Sequence, residues 1–217
     1  MQKIAGYLLF TAFIIIFQSC SGAPPEIQGV NWQKIYRVEG NTAVFDKLSL
    51  FVNVYDEDGE GDIESLYLIS DTDEIFWKLT EQEWNRKSID TRLWIGSNGL
   101  KSADGMPPPE GKYRIIAVDK GGDRNTKEIY IPACTNRKSL PSLAVSSTEV
   151  AVTSSYRENY LYLKNTEGAI LKIITITPGT TAMDLVTKDI KGSLTSITLY
   201  SFDSTESCGY QLTVPVP

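Results

Sequence analysis

An all-β protein of two tandem β-sandwich domains is the fold class this sequence predicts, and three observations predict it. Short runs rich in Val, Ile, Leu, Tyr and Phe recur with a period of two, as where Leu48, Leu50, Val52 and Val54 alternate with Ser49, Phe51, Asn53 and Tyr55. Gly, Asp and Asn turn signals separate the runs without intervening amphipathic helices, which argues against an α/β sheet. Composition changes near residues 132–141: residues 26–132 carry 20 acids, 13 bases and all four tryptophans, whereas 133–217 carry 7 acids, 7 bases and none. A chain of 217 residues with 41% hydrophobic content is long enough for two cores.

The elements follow in order from the amino terminus. Lys3 precedes residues 4–17, which carry no charge, and Gln18-Ser19-Cys20-Ser21-Gly22 follows. A span of 14 residues falls short of the roughly 20 needed to cross a bilayer. A basic start, an apolar run and small residues are the order of a secretory signal, so residues 1–19 are read as a signal segment outside the fold. Ser19-Cys20-Ser21 resembles a bacterial lipoprotein signal, with Phe17 and Gln18 standing where that family has Leu and a small residue. The resemblance implies an acylated Cys20, carrying palmitate, as the mature amino terminus. It implies a membrane partner reached through that lipid anchor, and a bacterial cell-envelope location. Cleavage after residues 21–23 is the rival reading, but Pro24 and Pro25 make a poor cut site.

Residues 20–30 read as a tether, 31–132 as the first sandwich, 133–141 as a linker and 142–217 as the second sandwich. Further strand-like runs lie at 66–69, 113–118, 129–131, 150–152, 160–163, 170–176, 197–202 and 212–216. Thr80-Glu81-Gln82-Glu83 reads as a capping box ahead of Trp84, predicting one short helix inserted in the first domain. The two halves also align on each other. Residues 65–79, SLYLISDTDEIFWKL, lie on 159–173, NYLYLKNTEGAILKI, at an offset of 94, sharing Thr72 with Thr166 and Lys78 with Lys172. Residues 114–132 parallel 198–215, with Asp119 matching Asp203.

Gly111-Lys112-Tyr113, followed by Ile115, Ala117 and Asp119-Lys120-Gly121-Gly122, resembles the last hairpin of bacterial immunoglobulin-like and fibronectin type III-like domains. The stretch from Trp94 to Leu100, with Pro107-Pro108-Pro109-Glu110 and Ala117-Val118-Asp119, is similar to segments of spirochaete lipoproteins. These resemblances imply an immunoglobulin-like sandwich and leave function open, because that fold hosts adhesins, accessory modules and spacers alike.

Composition narrows the chemistry. The sequence has no histidine, which removes Ser-His-Asp and Cys-His catalysis, His-ligated metals and imidazole switching. With 21 Lys+Arg against 27 Asp+Glu, an electrostatic grip on nucleic acid is disfavoured. No Ser-x-x-Lys, Gly-x-Ser-x-Gly or glycine-rich phosphate loop occurs, so no catalytic residue is predicted and an enzyme is not expected. A glycosidase needs two carboxyls of different environment facing across a cleft, which a run of neighbouring acids does not supply.

That run is the densest signal in the chain. Residues 56–64, DEDGEGDIE, place six carboxylates in nine residues directly after a strand. Hard cations such as calcium take six to eight oxygens from flexible loops, and Asp56, Asp58, Glu60, Asp62 and Glu64 are the candidate ligands. Tyr67 stands where an EF-hand has its bidentate Glu, and the flanks read as strands. The competing reading is a solvated turn in which Asp and Gly serve turn geometry. Calcium is the one cofactor the sequence brings into consideration.

Trp77, Trp84 and Trp94 cluster with Tyr67 and Phe76, as core residues or as a recognition face. If Cys20 carries lipid, Cys134 and Cys208 remain as an even pair, able to form a disulfide or to stay as two thiols. The reading that follows is a lipid-anchored envelope protein that binds or scaffolds without catalysis, with its acidic first module as contact surface and a protein or glycan as ligand. An accessory subunit of an envelope enzyme or transporter, and a calcium-stabilised surface adhesin, are the alternatives.

Overall fold

The computed structural model describes residues 22–73, 75–134 and 140–217. The signal segment 1–19 and Cys20 lie outside the described residues, as do residues 135–139 of the predicted linker. Fifteen strands and one short helix are formed among the described residues, so the protein is all-β. The chain opens with two 14-residue strands, β1 (Glu26–Glu39) and β2 (Thr42–Tyr55), β1 beginning inside the stretch read as a tether.

Two compact units are formed, and they interleave along the chain. One comprises 22–30, Phe51–Ser97 and Lys112–Ile129; the other comprises Asn31–Leu50, Asn98–Gly111 and Tyr130–Pro217. Residues 31–50 and 98–111, read from sequence as part of the first sandwich, therefore group with the carboxy-terminal half, and β1 and β2 contribute to both units.

In the first unit, β3 (Ile63–Ser70), β4 (Ile75–Thr80), β7 (Gly111–Asp119) and β8 (Arg124–Ile131) form an antiparallel sheet in the order β4-β3-β7-β8. Leu68 faces Trp77 on one side and Ile115 on the other. The period of two is clear along β7, where Tyr113, Ile115, Ala117 and Asp119 are buried and Arg114, Ile116 and Val118 are half-buried. Each such apolar side chain removed from water stabilises the fold by about 1.5–3 kcal/mol. The other strands of this unit are β5 (Asn85–Ile89) and β6 (Arg92–Leu100), paired antiparallel from Asn85 opposite Gly96 to Ile89 opposite Arg92. Val52, Val54, Leu93 and Ile95 are buried on β2 and β6, as a second layer over the same core requires.

The short helix predicted after Thr80 is not formed. The Glu83 carboxylate does accept from the Thr80 backbone N–H (3.1 Å) and hydroxyl (2.9 Å), and Trp84 N–H donates to the Thr80 carbonyl, so one turn closes as the capping box specifies. Trp84 is then buried and the chain passes into β5, whose five residues are all exposed. With no second apolar residue one turn further on, a helix there has no face to bury, and an isolated short helix does not hold in water. The helix that exists lies in the other unit: α1 (Met183–Thr187) buries Val186.

In the second unit, β11 (Glu158–Lys164), β12 (Ile170–Thr175), β14 (Ser196–Asp203) and β15 (Cys208–Pro215) run in the order β12-β11-β14-β15, followed by β1 and β2. β1 pairs parallel to β15, from Lys34 opposite Cys208 to Arg37 opposite Gln211. A second sheet orders β13 (Gly179–Ala182), β10 (Glu149–Thr153) and β9 (Ser142–Val145). Leu143, Val150 and Val152 from this sheet share one core with Leu161, Leu163, Ile197 and Leu199 from the larger one, and α1 adds Val186. The orders β4-β3-β7-β8 and β12-β11-β14-β15 are equivalent, and both segments of the internal alignment fall on them. Residues 65–79 and 159–173 are the β3–β4 and β11–β12 hairpins, and Asp119 and Asp203 end β7 and β14.

Candidate functional site

The acidic loop resolves into two populations. Asp56 leaves β2, Asp62 enters β3, and Asp119 ends β7; one carboxylate oxygen from each lies within 4.8 Å of the other two. Asp56 and Asp119 are only 8% and 1% exposed, and Asp62 is half-buried. Asp58, Glu60 and Glu64 are exposed and lie outside this group.

Local turn chemistry holds each member in place. Asp58 N–H donates to Asp56 Oδ1 (2.9 Å), Gly59 N–H to the Asp56 carbonyl (3.2 Å) and Asp62 N–H to the Gly59 carbonyl (3.0 Å). Gly59 has φ +115°, a conformation that a side chain would strain. On the other hairpin, Asp123 N–H donates to Asp119 Oδ1 (2.8 Å), and Lys120 N–H crosses to the Asp62 carbonyl (2.8 Å). The pairing of β3 with β7 starts at Ile63 opposite Asp119, with an irregularity before Ser65, which brings Asp62 level with the end of β7.

Asp56 Oδ1 is thus engaged, whereas Asp56 Oδ2 is buried without a hydrogen-bond partner. Burial pushes the Asp56 carboxyl above the usual aspartate range; the Asp58 N–H opposes this, and Asp62, Asp58 and Asp119 reinforce it. Every charged group acting on Asp56 is itself an acid. Such an arrangement accepts a proton or a hard cation and offers nothing to an anion. Sequence reasoning finds Asp56 and Asp62 but leaves out Asp119, which lies 57 residues beyond Asp62 and enters that reading as a turn residue and as the partner of Asp203 in the repeat.

The second unit carries a cleft of about 460 Å³ lined by Tyr36, Phe45, Met106, Pro107, Pro108 and Tyr210. Lys34 sits beside it, buried to 1% exposure, with its ammonium donating to the Pro132 carbonyl. Burial holds the Lys34 amine below the usual lysine range, with Glu206 and Glu110 pulling the other way. No sequence signal singled out Lys34, because a lone lysine in an alternating strand reads as a solvated position. Cys134 and Cys208 are joined as a disulfide, with Cα atoms 6.6 Å apart. The polyproline run stiffens one wall of this cleft rather than standing alone.

Of the tryptophans, Trp84 is buried and Trp32, Trp77 and Trp94 are half-buried, while Phe76 is exposed. An aromatic cluster lies in the second unit as well: half-buried Tyr160, Tyr162 and Phe202 each lie 6.1–6.4 Å from the ring of buried Tyr200. Tyr200 spreads across Gly209, where a Cβ would meet its ring, and its hydroxyl donates to Gln33.

No family model matches the sequence, and no curated protein does. Among solved structures the chain is similar to Tp47, the 47-kilodalton lipoprotein of Treponema pallidum, at 8% identity over 91% of this chain and 52% of that one, with a TM-score of 0.48. The BSP domain of a biofilm-associated protein matches at 13% identity over 89% and 29%, TM-score 0.28. Dimeric latent PorU from Porphyromonas gingivalis matches at 11% identity over 90% and 20%, TM-score 0.37. The chain spans about half of Tp47 and less than a third of each of the others. Among the described residues, no helix is long and apolar enough to cross a membrane.

Proposed function

We propose that the chain is a lipid-anchored bacterial envelope protein that binds or scaffolds without catalysis, through tandem immunoglobulin-like modules. The observation that carries the reading is the order Lys3, apolar residues 4–17 and Ser19-Cys20-Ser21, which supplies an acylation site directly ahead of the folded residues. Anchoring by acyl chains is the mode an acidic protein requires, because 27 acids against 21 bases gain nothing from anionic headgroups. The equivalent strand orders of the two units support the tandem reading, and the half-buried Tyr160, Tyr162 and Phe202 around buried Tyr200 offer partly exposed rings for contact with protein or glycan.

Mass spectrometry of the amino-terminal peptide from native membranes tests this, with Cys20→Ala as comparison. A diacyl or triacyl cysteine at position 20, with Cys20→Ala released from the membrane fraction, is the expected result. An unmodified peptide starting at Pro24 would sink it. Protease accessibility on whole cells then separates a surface adhesin from a shielded accessory subunit.

A further inference from the structure

Three acids converge at one end of the first unit, from the end of β2, the start of β3 and the end of β7, with oxygens within 4.8 Å. Like charges so close repel one another, and the cost grows as water is excluded. Among the described residues, two devices that usually relieve such a cluster are missing: the charged side chains acting on Asp56 are the acids Asp62, Asp58 and Asp119, and Asp56 Oδ2 is buried with no donor. A buried carboxylate oxygen that nothing meets is costly to the fold. The surrounding turns spend backbone N–H groups on Asp56 Oδ1 and Asp119 Oδ1, fixing the carboxyl groups rather than neutralising them.

We infer that Asp56, Asp62 and Asp119 form a calcium site in the first unit. All-oxygen donors select a hard cation, and an irregular three-carboxylate set on two turns suits calcium's flexible coordination better than the strict octahedron of magnesium. Asp58, Glu60 and Glu64 are exposed and lie outside the group of three carboxylates. The protein's own repeat acts as an internal comparison. Asp203 at the end of β14 is the counterpart of Asp119 at the end of β7. Around Asp203 the cleft is lined by Ser155, Tyr156, Arg157 and Thr205, and among the described residues Asp203 belongs to no group of three converging acids. The site is independent of whether Cys20 carries lipid.

The test is a thermal melt of the full chain in detergent, followed by tryptophan fluorescence after EDTA treatment. With a dissociation constant of about 10⁻⁴ to 10⁻³ M, the range of extracellular calcium modules, 10 mM calcium raises the midpoint by about 3–8 °C over EDTA. Magnesium raises it less. Asp119→Asn and Asp62→Asn abolish the shift, while Glu57→Gln and Glu60→Gln, exposed neighbours, keep it. Asp56→Asn also loses the shift yet melts in EDTA at or above the wild type, since it removes one of three like charges; a merely unfolded variant would melt lower. A midpoint indifferent to calcium, a greater response to magnesium, an equal shift in Asp119→Asn, or loss of the shift in Glu57→Gln would each overturn the assignment.

Discussion

Asp62 in the first unit and Tyr156 in the second each lie beside the aspartate that closes an equivalent strand, Asp119 and Asp203. Asp62 adds a third carboxylate beside Asp56 and Asp119. Tyr156 is instead buried, and its hydroxyl is pushed above the usual tyrosine range by burial first, then by Tyr210, with Asp203 and Glu206 adding to it.

Removing the acid of the second unit should leave the metal response untouched. Asp203→Asn is expected to show the wild-type calcium-dependent rise in melting midpoint, measured in the same titration as Asp119→Asn. The comparison is direct because both aspartates end equivalent strands and both accept a turn N–H through Oδ1.

The disulfide should be worth several kcal/mol. Cys134 and Cys208 are 74 residues apart, and cross-linking a loop of that length removes much of the freedom of the unfolded chain. Cys134→Ser is expected to lose about 2–4 kcal/mol in urea unfolding. A non-reduced peptide map should show the Cys134 and Cys208 peptides linked; two separate alkylated peptides would contradict the pairing.

Alkaline pH should weaken the fold through buried phenols. Burial pushes the Tyr113 hydroxyl up to about 12, with Asp73 adding to it and Ser70 opposing, and burial also leads the rise at Tyr200. The folded protein holds these protons more tightly than the unfolded chain does. Stability is thus fully present below the unfolded value near 10 and falls as pH rises from there through about 12. Tyr113→Phe is expected to flatten that decline, seen by unfolding at stepped pH. Absorbance at 295 nm should show Tyr113 and Tyr200 ionising after the exposed tyrosines.

Much of this architecture was legible in the sequence because strands leave a local trace. The alternation in Leu48 to Val54 and in Tyr113 to Ala117 marks buried faces directly, and the repeat placed β3–β4 on β11–β12 and β7–β8 on β14–β15. Thr80 to Glu83 misled because a capping box specifies how a turn begins and says nothing of whether an apolar face follows. Met183–Thr187 was missed for the converse reason: its amino-terminal residue Ala182 makes no side-chain cap, and its one buried residue, Val186, belongs to a tertiary core. Lys34 and Asp119 each owe their surroundings to contacts with distant segments, Lys34 with Pro132 and Asp119 with Asp56 and Asp62, and no local pattern records such encounters.

The parallel pairing of β1 with β15 bears on how the protein is made. Lys34 to Arg37 find their partners only when Cys208 to Gln211 have emerged, so the larger sheet of the second unit stays incomplete until the final strand is available. The earlier strand must wait while more than 160 further residues are made with this hydrogen-bonding edge unmatched, which is slow closure by topology and a period of exposure to wrong partners. A holding factor acting during synthesis would serve this chain at that stage, before the eight-residue strand Cys208–Pro215 locks the earlier one in place.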